Sequence, residues 1–321
     1  MKIAVLSGGV GGARFLRGLR AHVQSLPGQH ELTAVVNVGD DMWLTGVRIA
    51  PDLDSIMYTL AGQNDEVRGW GRVGESERVS AELKAYGVGW DWFTLGDLDL
   101  GTHLARTSYL RDGLPLSEAT ARITARWPLG VRLLPATDRE VETHVVTAER
   151  TMHFQEWWTR YRASLPALGF EHHGIQAAVA GPGVLQAIAE ADVVLVAPSN
   201  PVVSIGPILA IPGIREAVLE TSARVVGVSP IISGAVVRGM ADACLSAIGV
   251  PTAADAVALH YGLRSAGGIL DGWLIDESDA ALAPTIEAAG IATSAVPLWM
   301  RDVPLSATLA GDALALAARL G

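Results

Sequence analysis

Four glycines fall within five positions in Ser7-Gly8-Gly9-Val10-Gly11-Gly12-Ala13-Arg14, directly after the apolar run Lys2-Ile-Ala-Val-Leu6 and directly before the helix-like Phe15-Leu16-Arg17-Gly18-Leu19. At that density glycines let backbone N–H groups approach an anion with no Cβ in the way. A helix N-terminus behind them adds the positive end of its dipole. Gly8, Gly9, Gly11 and Gly12 are therefore candidate phosphate-binding residues. The pattern is not a P-loop, because Ala13-Arg14 stands where a Lys-Ser/Thr pair is required. Nor is it the dinucleotide fingerprint. Arg14 takes the place of the third glycine, and the second strand, Thr33–Val38, runs into Gly39-Asp40-Asp41 instead of a lone ribose-binding acid. A plain tight turn needs only one or two glycines.

Carboxylates come next. Asn37-Val38-Gly39-Asp40-Asp41 and Pro51-Asp52-Leu53-Asp54-Ser55 bring four of them to one edge of the expected sheet. Hard oxygen ligands of this kind suit Mg²⁺, which takes one or two protein carboxylates and completes its shell with water and phosphate oxygens. Asp40, directly after Gly39 at a strand end, is the leading candidate. Asp52 and Asp54 open a helix over Ile56–Ala61, where either serves equally well as an N-cap. A third group follows an apolar strand: Ala197-Pro198-Ser199-Asn200-Pro201-Val202-Val203-Ser204 presents hydroxyl and amide groups on a proline-bounded loop, suited to a base, a ribose or a phosphate. In Leu95-Gly96-Asp97-Leu98-Asp99, Asp97 reads as a helix cap and Asp99 as a first-turn dipole partner. His103 and His144 read as structural histidines. The segment from His153 to Tyr161 could stack a flat ligand, although tryptophans at helical spacing are more often core. No Ser or Cys is paired with a positioned base, so acyl transfer is unsupported.

These residues need a scaffold that gathers strand ends. Short β-branched runs at 2–6, 33–38, 174–179, 192–197, 224–228, 268–275 and 291–296 alternate with amphipathic stretches, the rhythm of an α/β, Rossmann-like, doubly wound and mainly parallel sheet. The rhythm lapses over 62–170. That stretch carries helix-like segments at 76–86, 99–111, 117–127 and 155–164, a hairpin at 143–147 with 151–154, and six of the nine tryptophans. The expected organisation is one domain over 1–321, built from 1–61 and 171–321, with 62–170 inserted as a cap over the strand ends.

Composition narrows the partners. A formal charge of −10 and a pI near 5.3 argue against nucleic acid and anionic membranes, whose nonspecific binding rests on Lys and Arg. The single cysteine, Cys244, excludes an intrachain disulfide and any multi-cysteine metal site, which fits a cytoplasmic location. The uncharged run 193–214 is broken by four prolines and reads as a buried strand, a loop and a short helix, not as a membrane span. Few apolar residues precede the glycines, so no secretory signal is expected.

In order, the motifs Gly8-Gly9-Val10-Gly11-Gly12-Ala13-Arg14, Asn37-Val38-Gly39-Asp40-Asp41, Pro51-Asp52-Leu53-Asp54, Leu95-Gly96-Asp97, His153-Phe154-Gln155-Glu156-Trp157-Trp158 and Pro198–Ile205 resemble the 2-phospho-L-lactate transferase family of coenzyme F420 biosynthesis. The likeness runs over essentially the whole chain and is closest to the actinobacterial branch, which uses phosphoenolpyruvate. It implies a Mg²⁺-dependent transferase joining the deazaflavin Fo to a phospho-acid carried as a guanosine diphosphate adduct, with release of GMP, in a homodimer. Carried over by residue, it implies Asp40 and Asp54 as catalytic and metal-binding, and Asp40 and Leu98 as deazaflavin-side. Ser199, Asn200, Val203 and Ser204 would join the glycines around GDP. In the family the residue at position 98 is an arginine and that at 101 an alanine; this chain has Leu98 and Gly101. A nucleotide-sugar-binding regulator of the same superfamily is the alternative expectation.

Overall fold

In the computed structural model, which describes residues 1–321, seven strands form one parallel sheet. They are β1 (Lys2–Ser7), β2 (Glu31–Val36), β5 (Arg132–Pro135), β9 (Val193–Val196), β10 (Arg224–Val228), β13 (Gly272–Ile275) and β14 (Ala292–Ala295). Their spatial order is β14-β13-β10-β9-β1-β2-β5, and every neighbouring pair is parallel. The central strands are apolar on both faces: Val5, Leu6, Val194, Leu195 and Val196 have no exposed surface. Helices cover each side, as a parallel sheet requires. From β1 the chain first works outward through β2 to β5, then returns to β9 on the other side of β1 and continues to β14. The carboxyl ends of β1 and β9 therefore flank the switch point, where ligands of doubly wound sheets bind.

Helix α1 (Gly9–Gln24) starts straight from the glycines and buries Phe15, Leu16, Leu19 and Val23. Helix α2 (Pro51–Ala61) has proline in its first turn, pre-set for helical φ, with Asp52 and Asp54 beside its positive end. Between β2 and α2 the ribbon of β3 (Met42–Leu44) and β4 (Val47–Ile49) turns the chain back. Three further helices, α3 (Arg78–Ala85), α4 (Asp97–Arg111) and α5 (Leu116–Thr124), lie close to the expected spans, and α3 buries no residue at all. Strands β6 (Glu142–Thr147), β7 (Thr151–His153) and β8 (Ala167–His173) make an antiparallel sheet, and β11 (Ile231–Ile232) pairs with β12 (Ala235–Val236).

Several local expectations are corrected. The segment 174–179 is not a strand; the strand is β8, just before it, and it pairs antiparallel with β6. Its exposed residues are Leu168, Glu171 and His173, while Phe170 packs against the core. The expected helix over 155–164 is a single π-helical turn, Glu156–Arg160. Strand β5 pairs with β2 at the edge of the main sheet, so the stretch 62–170 contributes to the sheet as well as to the elements above it. The run 193–214 is β9 followed by short helical turns. No single helix is long and apolar enough to cross a membrane, and Pro201–Ala210 meets Ile214–Glu220 at 86°.

Candidate active site

The loop after β1 and the loop after β9 are packed together at the switch point. Ser199 Oγ donates to the Gly8 carbonyl at 2.7 Å and accepts from the Gly8 N–H at 3.1 Å. A Cβ on Gly11 would collide with the Pro198 carbonyl, and one on Gly12 would meet the hydroxyls of Ser7 and Ser199. Glycine is needed here for the approach of the two loops, and Gly9, at φ +62, for its left-handed backbone. Asn200 stiffens its own loop, its Oδ1 accepting from the N–H groups of Val202 and Val203 at 2.9 and 3.3 Å. Gly8, Gly9, Gly11, Ser199, Asn200, Val203 and Ser204 all line one cavity of about 760 Å³; Gly12 packs behind it.

The floor is acidic and dry. Asp40, Asp41, Asp52 and Asp54 are all buried. Asn37 organises two of them: its Nδ2 donates to Asp52 Oδ2 at 2.9 Å and to the Val203 carbonyl at 3.2 Å, and stands 3.4 Å from Asp40 Oδ1. Burial, with the charges of Asp52 and Asp41, pushes Asp40 well above the usual carboxylate range, against the Asn37 amide. Burial pushes Asp52 up to about 6, opposed by the Asn37 amide and the Gly9 N–H. Burial pushes Asp41 up to about 8, against Arg48 and Arg106. Both oxygens of Asp41 and Oδ2 of Asp54 lack any hydrogen-bond partner. Asp54 lines the cavity with Asp40 and Asp52, and a buried carboxylate oxygen left without a donor there is what a hard divalent cation satisfies, so these residues fit Mg²⁺.

Asp54 faces a second network. It pairs with Arg106 of α4, while its Oδ2 lies 3.4 Å from His103 Nδ1. His103 Nε2 lies 3.3 Å from Asp99 Oδ2, and the Tyr58 hydroxyl donates to Asp99 Oδ1 at 2.7 Å. Although burial works the other way, His103 and the Tyr58 hydroxyl hold Asp99 below the usual carboxylate range. Asp54, Asp99 and His103 each offer a ligand atom within 4.8 Å of the others. The Arg106 guanidinium, 3.2 Å from His103 Nδ1 through its Nη1, already supplies this group with one cation.

The walls are aromatic. Trp92, Phe93, Phe154 and Trp158 line the cavity, whereas Trp157 is fully buried and donates its Nε1–H to the Leu165 carbonyl at 2.8 Å. Of the expected site residues, Leu98 and Gly12 do not line the cavity, and Leu98 is the one on its outer side. It stands half-exposed on the first turn of α4 and does not line the cavity, while its neighbour Asp99 does. Sequence reasoning missed Arg106, whose partner lies 52 positions away on another helix. It chose Asp54 as the partner of Asp40 and gave Asp52 no role, whereas Asn37 joins Asp40 to Asp52 beneath the cradle, a link that a strand-end asparagine alone does not reveal.

A parallel doubly wound sheet with a glycine cradle and an acidic floor at its switch point defines an α/β enzyme that handles phosphorylated ligands. The chain belongs to the family described as 2-phospho-L-lactate transferase CofD, which it matches over residues 3–292. Curated relatives named phosphoenolpyruvate transferase are 54% identical to it in Mycobacterium sp. (strain KMS), covering 99% of both chains, and 54% identical in Thermobifida fusca, covering 100% of this chain and 99% of the relative. That of Nocardia farcinica is also 54% identical, over 98% of this chain and 95% of its own. Their names are those of an enzyme, not of a regulator. Among solved structures, protein BH3568 from Bacillus halodurans superposes with a TM-score of 0.63 at 20% identity, covering 98% of this chain and 99% of that one, a likeness in fold.

Proposed function

We propose that the protein transfers a phosphoenolpyruvyl group from its guanosine diphosphate adduct to the ribityl hydroxyl of the deazaflavin Fo and releases GMP. Family membership makes it a transferase of coenzyme F420 biosynthesis. The relatives' name supports the enolpyruvyl donor over the 2-phospholactyl one. The observation that carries the reading is one cavity that joins a glycine cradle, the Ser199–Ser204 loop and the buried Asp40, Asp52 and Asp54.

In this reading the donor's phosphates lie against the amides after Gly9, and the guanosine lies along Ser199, Asn200, Val203 and Ser204. Fo lies on the Asp40 side against the aromatic wall. The hydroxyl oxygen attacks the β-phosphorus; its new P–O bond forms as the P–O bond to GMP breaks in line. The hydroxyl proton passes to a floor carboxylate, and Asp52, pushed up to about 6, is matched to receive it near neutral pH. Mg²⁺ held by Asp40 and Asp54 would neutralise the phosphate oxygens. The chain's own contribution is position and dryness. The loops hold donor and acceptor in line, and the aromatic wall keeps water from competing for the same phosphorus. The same reading has the protein working in the cytoplasm as a homodimer, with no nucleic-acid or membrane partner.

The test is incubation with Fo, Mg²⁺ and each guanylylated donor, with GMP and the Fo phosphodiester followed by mass spectrometry. Both products are expected with the enolpyruvyl adduct. Absence of GMP with both donors overturns the reading, and GMP with the 2-phospholactyl adduct alone overturns the choice of donor.

A further inference from the structure

The cavity has a cationic rim as well as an acidic floor. Arg14 and Arg238 both line it, and neither has a carboxylate within salt-bridge distance, in a chain of net charge −10. Arg14 comes from α1, two residues beyond the cradle, and is partly buried. The acid that acts on it, Glu66, is held by Arg17 at 2.6 Å. Arg238 follows β12, and its Nη2 reaches the Arg68 carbonyl at 3.5 Å above Gly69. Burial, and then the charge of Arg238, lowers the pKa of Arg14, so the two guanidinium groups act on one another. Arg14 is partly withdrawn from water and Arg238 is exposed beside it, and an anion bound at the rim would meet both cations.

The donor of the proposed reaction carries two kinds of anion. Its diphosphate already has the amides of the cradle and the metal-suited floor. Its acid part carries a carboxylate whose carbon is two bonds beyond the phosphoester oxygen, and nothing on the floor can accept it, because the floor is itself carboxylate. The rim pair is placed for it, and a guanidinium matches a carboxylate with two parallel N–H donors. We propose that Arg14 and Arg238 bind the carboxylate of the phospho-acid part of the donor and so select an acid-bearing adduct over the bare nucleotide. This rests on the transferase reading above and names the residues that recognise its substrate.

GDP lacks only the acid, so it isolates the pair's contribution. Calorimetry gives dissociation constants for the guanylylated enolpyruvyl phosphate and for GDP on wild type, Arg238→Gln, Arg238→Lys and Arg14→Gln. Wild type is expected to bind the adduct more tightly than GDP. Each Gln variant should weaken the adduct by roughly ten- to a hundredfold, the range of a charge-assisted hydrogen bond, while GDP changes by less than about twofold; Arg238→Lys should recover part of the loss. Equal weakening of adduct and GDP would mean that the pair holds the diphosphate, and no change in either would leave two ordinary surface arginines; each overturns the proposal. GMP release is scored separately on wild type. Its absence counts against the transferase reading, whereas the dissociation constants judge the arginine pair by themselves.

Discussion

Asp52 and Asp54 stand two residues apart on α2 and face different partners: Asp52 accepts from Asn37 beneath the glycine cradle, and Asp54 pairs with Arg106 of α4. Two positions on a helix are about 200° apart, so the two side chains leave opposite faces. The floor therefore has one carboxylate pair that faces no side-chain cation, Asp40 with Asp52, and one, Asp54 with Asp99, that shares the single guanidinium of Arg106.

The two halves should respond in opposite ways to loss of charge. Asp40→Asn removes a carboxyl whose ionisation burial and the charges of Asp52 and Asp41 oppose, and should stabilise the metal-free protein at pH values where that carboxyl is ionised. Asp54→Asn leaves the buried Arg106 without its partner and should cost about 3–5 kcal/mol. Both should lower kcat by about a hundredfold or more, given the several kcal/mol that a bound metal supplies. Urea denaturation alongside turnover checks this. Near-wild-type turnover by Asp40→Asn at saturating Mg²⁺ would remove Asp40 from the mechanism.

The floor carboxylates should cost the metal-free protein stability as pH rises. Folding raises the pKa of Asp52 from 3.8 to about 6 and that of Asp41 from 3.8 to about 8. Through these two groups the folded state binds more protons than the unfolded one between pH 4 and 8, so their contribution to the slope of stability against pH is negative, while His153, lowered to about 4 by burial, contributes in the opposite direction below pH 6.5. A divalent cation relieves that penalty only where the carboxylates are ionised. Mg²⁺ should raise Tm markedly at pH 8 and hardly at pH 5. A shift equal at both pH values would show that the ion binds elsewhere.

The bridge between the two loops should be worth a measurable amount. Ser199→Ala leaves the buried N–H and carbonyl of Gly8 without the hydroxyl that both use, at about 1–3 kcal/mol. GDP affinity should fall with it, because the same hydroxyl holds the β9 loop against the cradle. Unaltered stability and affinity, by denaturation and calorimetry, would reduce this contact to coincidence. Gly11→Val should be harsher, since its Cβ meets the Pro198 carbonyl before any ligand arrives.

What was legible in the sequence was whatever depended on neighbours in the chain. The buried strands β1 and β9 are unbroken apolar runs, and the glycines follow at a spacing that only an anion or a close loop demands. Strand β5 was not legible: Arg132-Leu-Leu-Pro is four residues long and ends in proline, tolerated because it sits at the sheet's edge. Strand β8, Ala167–His173, hid because its exposed residues, Leu168, Glu171 and His173, follow no strict alternation. In the site, Asp40 was legible from its place after a strand. The division of labour between Asp52 and Asp54 was not, since it is decided by Asn37 on one side and Arg106 on the other.

Leu98 offers the remaining test of how the acceptor is held. Its N–H is capped by Asp97 Oδ1 at 2.9 Å, its carbonyl lies 3.4 Å from Arg72 Nη1, and its side chain is half-exposed beside the cavity. An arginine there is long enough to bring a planar cation to the cavity edge next to Asp99, where a leucine brings none. Leu98→Arg should therefore tighten Fo by about 1–2 kcal/mol, one charge-assisted hydrogen bond. GDP affinity should stay the same, because in the proposed reading the nucleotide lies along the cradle and the Ser199 loop. The gain should be at the low end of that range, since Arg72 already occupies the neighbourhood with like charge and packs 5.5 Å over the Tyr58 ring. Titration by Fo's own fluorescence, on wild type and Leu98→Arg with and without GDP, reads both quantities. An equal gain for Fo and GDP would show a general charge effect, and no Fo binding by either protein, with GDP and Mg²⁺ present, would count against the acceptor itself.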